Sequence, residues 1–232
     1  MNQVKTKGIV LTRVDYGEAD RIITVLTSDQ GKLSLMAKGV RRVKSKLAGG
    51  IELLSVSEIV YMPSRSSLNT LISARLIKHY GNIVGNIDRT MMAYDILKQT
   101  HKSTEDDVEV AYFTMLENSL AALDDFSIPL ELISSWTGAQ LLRFGGHTPN
   151  LTHDVSGEKL QAGKRYDFDF EAVGMVLAQG DEGSFDTDRI KFFRLLFTDS
   201  SPQVIARVQG SAGFAAALNP LLTSLRQFYL NI

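Results

Sequence analysis

Residues Gly8–Lys46 constrain the fold more than any other part of the chain. Three β-rich runs, Ile9–Val14, Arg21–Thr27 and Lys32–Lys38, are separated by two four-residue breaks, Asp15-Tyr16-Gly17-Glu18 and Ser28-Asp29-Gln30-Gly31. Gly and Asp in such breaks supply the positive φ and the local hydrogen bonds of tight turns. The third run passes directly into Lys38, Arg41, Arg42, Lys44 and Lys46. A meander that ends in a basic loop suits a small barrel lying against a nucleic-acid backbone.

Two further β runs follow, Ile51–Met62 and Leu68–Ile77. The second places Leu68, Thr70, Ile72, Ala74 and Leu76 on one face and Arg75 on the other. Five runs joined by short turns predict a five-stranded oligonucleotide-binding (OB-fold) barrel over residues 1–80, although the count alone also fits an SH3-like barrel. Near Tyr80-Gly81 the apolar period changes from 2 to 3.6. Ile83, Ile87, Met91, Tyr94 and Leu97 predict one helical face. Thr104 with Asp107 predicts the cap of a second helix carrying Val108, Tyr112, Met115, Leu116 and Leu123. A third starts after Ser127 and Pro129, carries Leu130, Ile133, Leu141 and Leu142, and stops at Gly145-Gly146. The three are expected to bury their stripes against one another. His147–Gly183 reads as an irregular insertion with a hairpin, Lys164–Glu171 being its one plausible strand. Helical patterns return at about 186–198, 202–208 and 212–230, where Pro220 is expected to kink or split the last. The fold class is therefore α+β: an N-terminal β-barrel, then a mainly α-helical domain over 81–232 interrupted at about 147–183.

Charge sharpens the division. The whole chain is nearly neutral at −1, but residues 1–80 hold 13 Lys and Arg against 6 Asp and Glu, a balance of +7, and the remainder stands at −8. The first third is expected to meet something anionic. Arg41, Arg42, Lys44 and Lys46 are the core of that surface, with Lys32, Lys38 and Arg75 as extensions. Tyr16, Tyr61 and Tyr80 are candidate surfaces for base stacking. There are no cysteines, so disulfides and thiolate metal sites are excluded, and no apolar run approaches membrane-spanning length. A cytoplasmic protein with no membrane partner is expected.

Catalytic chemistry finds little support. The stretch Gly157–Lys164 has five residues between its glycines where a phosphate-binding loop has four, and Arg165 stands where that loop needs Ser or Thr. His147, His153 and Asp154 could in principle hold a metal, but with four histidines spread over 232 residues ordinary surface loop residues are the default reading. No catalytic motif is present, so the chain is read as a non-enzyme without a cofactor.

The motifs Gly8-Ile-Val-Leu, Tyr16-Gly-Glu-Ala-Asp20-Arg21-Ile, Gly31-Lys-Leu, Ala37-Lys-Gly-Val-Arg41-Arg42 and Lys44-Ser-Lys46 resemble the RecO family of bacterial recombination mediators, as does Leu141–Leu151. The resemblance implies the OB barrel on a helical domain. It implies binding of single- and double-stranded DNA and annealing of complementary strands without ATP. It further implies partnership with RecR and with the C-terminal tail of single-strand-binding protein, so that the RecA recombinase is loaded indirectly. A tail that is acidic and ends in an aromatic residue needs an apolar groove with a cationic rim, for which Arg143, Lys191 and Arg194 are the candidates. Many family members carry a zinc site of two Cys-x-x-Cys pairs. Here His153 and Ser156 occupy the first pair and Leu177 and Gly180 the second, so no zinc is expected. Tyr166, Phe168 and Phe170 are expected to anchor the hairpin instead. A protein–protein adaptor with a structural barrel and an RNA-binding barrel protein are the alternatives to a DNA-binding mediator.

Overall fold

The computed structural model describes residues 2–65, 67–104, 110–180 and 182–232. They form two compact units, Met1–Asp125 and Phe126–Ile232.

The first unit is built on five strands: β1 (Val4–Tyr16), β2 (Asp20–Thr27), β3 (Lys32–Ala37), β4 (Ser55–Met62) and β5 (Leu68–His79). They close into a barrel in the order β1-β2-β3-β5-β4, with β4 pairing back to β1. All pairs are antiparallel except β3 with β5, the arrangement of an OB fold. Val10, Ile23, Val25, Leu35, Ile59, Tyr61 and Leu71 fill the interior. Closure removes the sheet edges that a meander of this length would otherwise expose.

The expected inward face of β5 is corrected by the register. Leu71 is buried, whereas Ile72 and Leu76 are exposed. Irregularities opposite Val56/Ser57 and Val60/Tyr61 shift the pairing with β4. The second of these skips Ile72, and that added residue puts Leu71 on the inward side in its place; Leu76 keeps the register of Ala74 and is exposed nonetheless.

Helices α1 (Ile87–Ser103) and α2 (Val110–Asp124) belong to the same unit as the barrel. The periodic stripe of α1 is also corrected: Ile87, Met91 and Tyr94 are exposed, and Arg89, Ala93, Ile96, Leu97 and Thr100 are buried. The buried Arg89 guanidinium donates to the carbonyls of Ala122, Leu123 and Asp125 at the end of α2. Carbonyls at a helix C-terminus keep acceptor capacity that the helix itself does not use, so a cation turns inward where the apolar pattern pointed elsewhere. Thr104 is the C-cap of α1; its proposed capping partner Asp107, and Val108, lie outside the described residues.

The second unit contains α3 (Leu130–Phe144), α4 (Thr187–Leu196), the single turn α5 (Pro202–Ile205) and α6 (Ser211–Tyr229). Within this unit α3 packs on α6. Ser135 donates to the Ala215 carbonyl at 3.0 Å, and Gly138 gives room to the Arg226 side chain. Helix α6 continues through Pro220, so of the two expected outcomes the split does not occur. The buried Leu218, Leu222 and Leu225 on its face compensate for the one backbone donor that proline lacks. The insertion is more regular than its composition suggested. A hairpin of β7 (Tyr166–Asp169) and β8 (Gly174–Leu177) is extended by β6 (Asn150–Asp154), which runs parallel to β8. Tyr166 is buried and Phe168 half-buried, its ring 6.2 Å from that of Phe193. Phe170 remains largely exposed.

Candidate nucleic-acid interface

The link from β3 to β4 crosses one end of the barrel. Val40 and Ile51 are buried in its core, with Leu47 and Leu53 packed against it. Gly39 supplies a φ of 65° at the start, and Gly50 lies so close to β5 that a Cβ there would stand 2.3 Å from the Ala74 carbonyl oxygen. Between these anchors run two consecutive turns, closed by Arg42 N–H to Gly39 O at 3.2 Å and Ser45 N–H to Arg42 O at 2.9 Å. Apolar residues at both ends therefore pin a segment whose middle, Arg41 to Lys46, faces water except for half-buried Ser45.

The β1–β2 turn holds this loop from the side. Asp20 Oδ1 accepts the Gly39 N–H at 2.7 Å, and the Ala19 carbonyl accepts the Arg41 N–H at 2.9 Å. Arg41 Nη1 donates to Gly17 O at 3.3 Å, and its Nε stands 3.4 Å from Asp15 Oδ2. Asp15 also pairs with Arg21 at 2.7 Å. The hydrogen bond from Arg21, with the charges of Arg21 and Arg41, holds the Asp15 carboxyl below its ordinary value. Two carboxylates thus orient the loop and consume part of the charge of Arg41. Among the described residues no hydrogen bond or ion pair engages the side chains of Arg42, Lys44 and Lys46. These exposed ammonium and guanidinium groups suit phosphate oxygens.

Beside the loop, cross-strand pairing places Val14 opposite Ile22 and Ile22 opposite Met36 on the outer face of β1, β2 and β3. Tyr16, paired with Asp20, ends this apolar row and is 55% exposed. Small OB barrels bind oligonucleotides on this face and on the β1–β2 and β4–β5 loops. The β4–β5 loop carries the exposed Arg65, which sequence reasoning missed. A lone arginine between Pro63 and the fifth run could have been found by asking what that loop displays. Tyr61 and Tyr80 are 4% and 0% exposed, so burial removes them as stacking surfaces and pushes their phenols up. Tyr16 alone of the three offers its ring.

The extended track is divided. Lys38 is exposed next to the loop. Arg75 lies on the outer face of β4 and β5, where it shares Glu58 with Lys5. Lys32 Nζ donates to the carbonyls of His101 and Thr104 at the end of α1, which is where a helix terminus favours a cation. Lys32→Ala is therefore expected to remove about 1–2 kcal/mol of stability, lowering Tm by roughly 3–6 °C, while the salt dependence of DNA binding stays unchanged. Calorimetry and a salt titration check the two halves. A flattened salt response with unchanged Tm would return Lys32 to the binding surface.

In the second unit, Arg143 pairs with Asp199 at 2.7 Å and Arg194 Nε donates to the Leu151 carbonyl at 2.6 Å, tying α4 to β6. Lys191, paired with Asp188 at 3.1 Å, stands with that carboxylate on the rim of a groove of about 380 Å³ floored by Phe192, Leu195, Val208 and Phe214. Lys191 and Arg194 also line a smaller pocket of about 180 Å³ with Leu160 and Ile190, whereas Arg143 lines neither.

The residues at the zinc positions do not fit zinc. Leu177 and Gly180 carry no donor. Ser156 Oγ donates to Asp154 Oδ1 at 2.6 Å, and the same carboxylate oxygen accepts the N–H groups of Ser156 and Glu158. These bonds, the Ser156 hydroxyl first, lower the Asp154 pKa and close the turn without a metal. No group of three His, Cys, Asp or Glu residues among the described residues is placed to hold an ion.

A family model described as Recombination protein O N terminal matches residues 1–80. The chain is 35% identical over 174 residues to "DNA repair protein RecO" of Dehalococcoides mccartyi, covering 74% of this chain and 68% of that protein. The protein of the same name from Acetivibrio thermocellus is 42% identical over 93 residues, 40% of this chain and 37% of that one. That from Alkaliphilus metalliredigens is 31% identical over 154 residues, 66% and 62% of the two chains. Together with the barrel and its basic loop, these matches show that the chain belongs to the RecO family of DNA repair proteins.

Proposed function

We propose that this protein is a recombination mediator in DNA repair that works by binding and annealing DNA, not by catalysing a reaction. The observation that carries this reading is the basic loop: Arg42, Lys44 and Lys46 are exposed beside an OB barrel, on a segment whose ends are buried and whose flank is held by Asp15 and Asp20. Such a surface neutralises the phosphates of either single or double strands without reading sequence. Lowering the repulsion between two complementary strands on one surface lets them pair without ATP.

The same reading extends to partners. The apolar floor of the groove suits the aromatic end of an acidic tail, the chemistry expected of single-strand-binding protein, with Lys191 exchanging its exposed partner Asp188 for a carboxylate of the tail. Together with RecR, the chain would then help RecA onto coated strands in the cytoplasm. The test is annealing of complementary oligonucleotides followed by a fluorescent label. Bare strands are expected to anneal faster with the protein and no nucleotide. Strands coated with single-strand-binding protein are expected to do so only when the coat retains its tail, and Lys191→Glu should weaken that second reaction alone. Failure to accelerate annealing of bare strands would sink the mediator reading. Tail-independent annealing of coated strands would remove the groove from it.

A further inference from the structure

We infer that Val43, at the crest of the basic loop, is an apolar wedge that packs against unpaired bases, so that the protein favours a junction between paired and unpaired DNA over continuous duplex. This rests on the nucleic-acid reading above and adds a base contact to it.

Val43 is fully exposed, at 105%, with the exposed Arg42 and Lys44 on either side. It occupies the second position of the turn closed by Ser45 N–H on the Arg42 carbonyl. Turns favour proline there and gain nothing specific from a β-branched apolar residue. Burial contributes nothing to the folded chain at this position, since the side chain touches so little. The neighbours Val40 and Leu47, by contrast, are drawn into the barrel. The loop thus separates its apolar residues into anchors that fold it and one that points away.

Chemistry identifies what that one meets. The cations on both sides would sit on phosphates and bring the crest to the bases between them. Apolar side chains placed there work as wedges between base steps, at a cost in unstacking. The cost is least for bases already unpaired, which directs the wedge to a junction. A β-branched side chain has few rotamers to lose, so little entropy opposes its insertion.

The experiment uses the whole protein and three DNA probes of equal length: a single strand, a blunt duplex, and a primer–template junction with 2-aminopurine at the first unpaired position. The variant is Val43→Thr, which keeps the shape and replaces a methyl by a hydroxyl; Val43→Leu keeps the apolar contact. Wild type is expected to change 2-aminopurine fluorescence at the junction. Val43→Thr should lose about five- to tenfold in affinity for the junction and less than twofold for duplex, with the salt dependence and Tm unchanged. Val43→Leu should behave as wild type. If Val43→Thr matches wild type on the junction while both bind DNA, the wedge is overturned and the DNA-binding reading stands. If wild type binds none of the three probes, the DNA-binding reading itself fails. Tighter binding of wild type to anionic phospholipid vesicles than to any DNA, lost in Val43→Thr, would assign the crest to a membrane surface and also overturn the wedge.

Discussion

Gly50→Ala should lower the Tm of the barrel unit by roughly 10 °C, while Gly49→Ala, one residue earlier, should leave it within about 2 °C. A Cβ at Gly50 would meet the Ala74 carbonyl oxygen at 2.3 Å and its carbon at 2.4 Å, whereas nothing lies within 4 Å of one at Gly49. Overpacking costs about 1–3 kcal/mol when side chains can yield. Here the obstacle is the backbone of a barrel strand, and Ile51 beside it is wholly buried, so the upper end of that range applies. Relief requires the loop to lift from the barrel end, which also displaces Arg42, Lys44 and Lys46. Gly50→Ala should therefore weaken DNA binding as well, although it removes no charge. Thermal unfolding of the two variants side by side checks this, and equal melting temperatures would show that the loop is not seated as described.

Replacing Arg42 and Lys44 together by Ala has the opposite signature. Both side chains are exposed, so Tm should hold. Each lost contact with single-stranded DNA removes about 0.7 from the slope of log K against log salt. Two lost contacts weaken binding by roughly 10- to 30-fold at about 0.1 M salt, and equally on every sequence. The loop geometry on which this depends also has an acid limit. The Asp15 carboxyl is held below its ordinary value by Arg21, so its ion pairs are fully present above the ordinary carboxylate value of about 3.9. They are lost as pH falls through the lower folded value. Above about pH 5 the clamp on Arg41 should not vary with pH.

Much of this was legible in the residues because short-range rules decided it. Turn glycines at Gly17, Gly31 and Gly39 all adopt positive φ, and the meander they punctuate closes into the expected barrel. The basic loop was visible as charge density, and Gly145-Gly146 ends α3 as expected. What escaped detection depends on distant partners. The bulge at Ile72 turns Leu71 inward without leaving a mark in the composition of β5. Lys32 looks like any other lysine of the track until α1 ends against it. Arg89 is buried because the end of α2 offers it carbonyl acceptors, and no periodicity in α1 encodes that. β6 has only Leu151 buried, too little alternation to read as a strand. Likewise, the roles of Asp15 and Asp20 in holding the loop follow from a turn and a loop meeting across the barrel end.

The most direct test of the central claim, that the loop of Arg41 to Lys46 is a phosphate-binding surface, is the affinity of the full chain for single-stranded DNA measured across salt concentrations. Wild type should give a slope of log K against log salt near −3, corresponding to about four phosphate contacts at roughly −0.7 each. Arg42→Ala/Lys44→Ala should flatten it by about 1 to 1.5 with Tm unchanged. A double variant that binds with the wild-type affinity and slope would contradict the claim and place the DNA elsewhere on the protein.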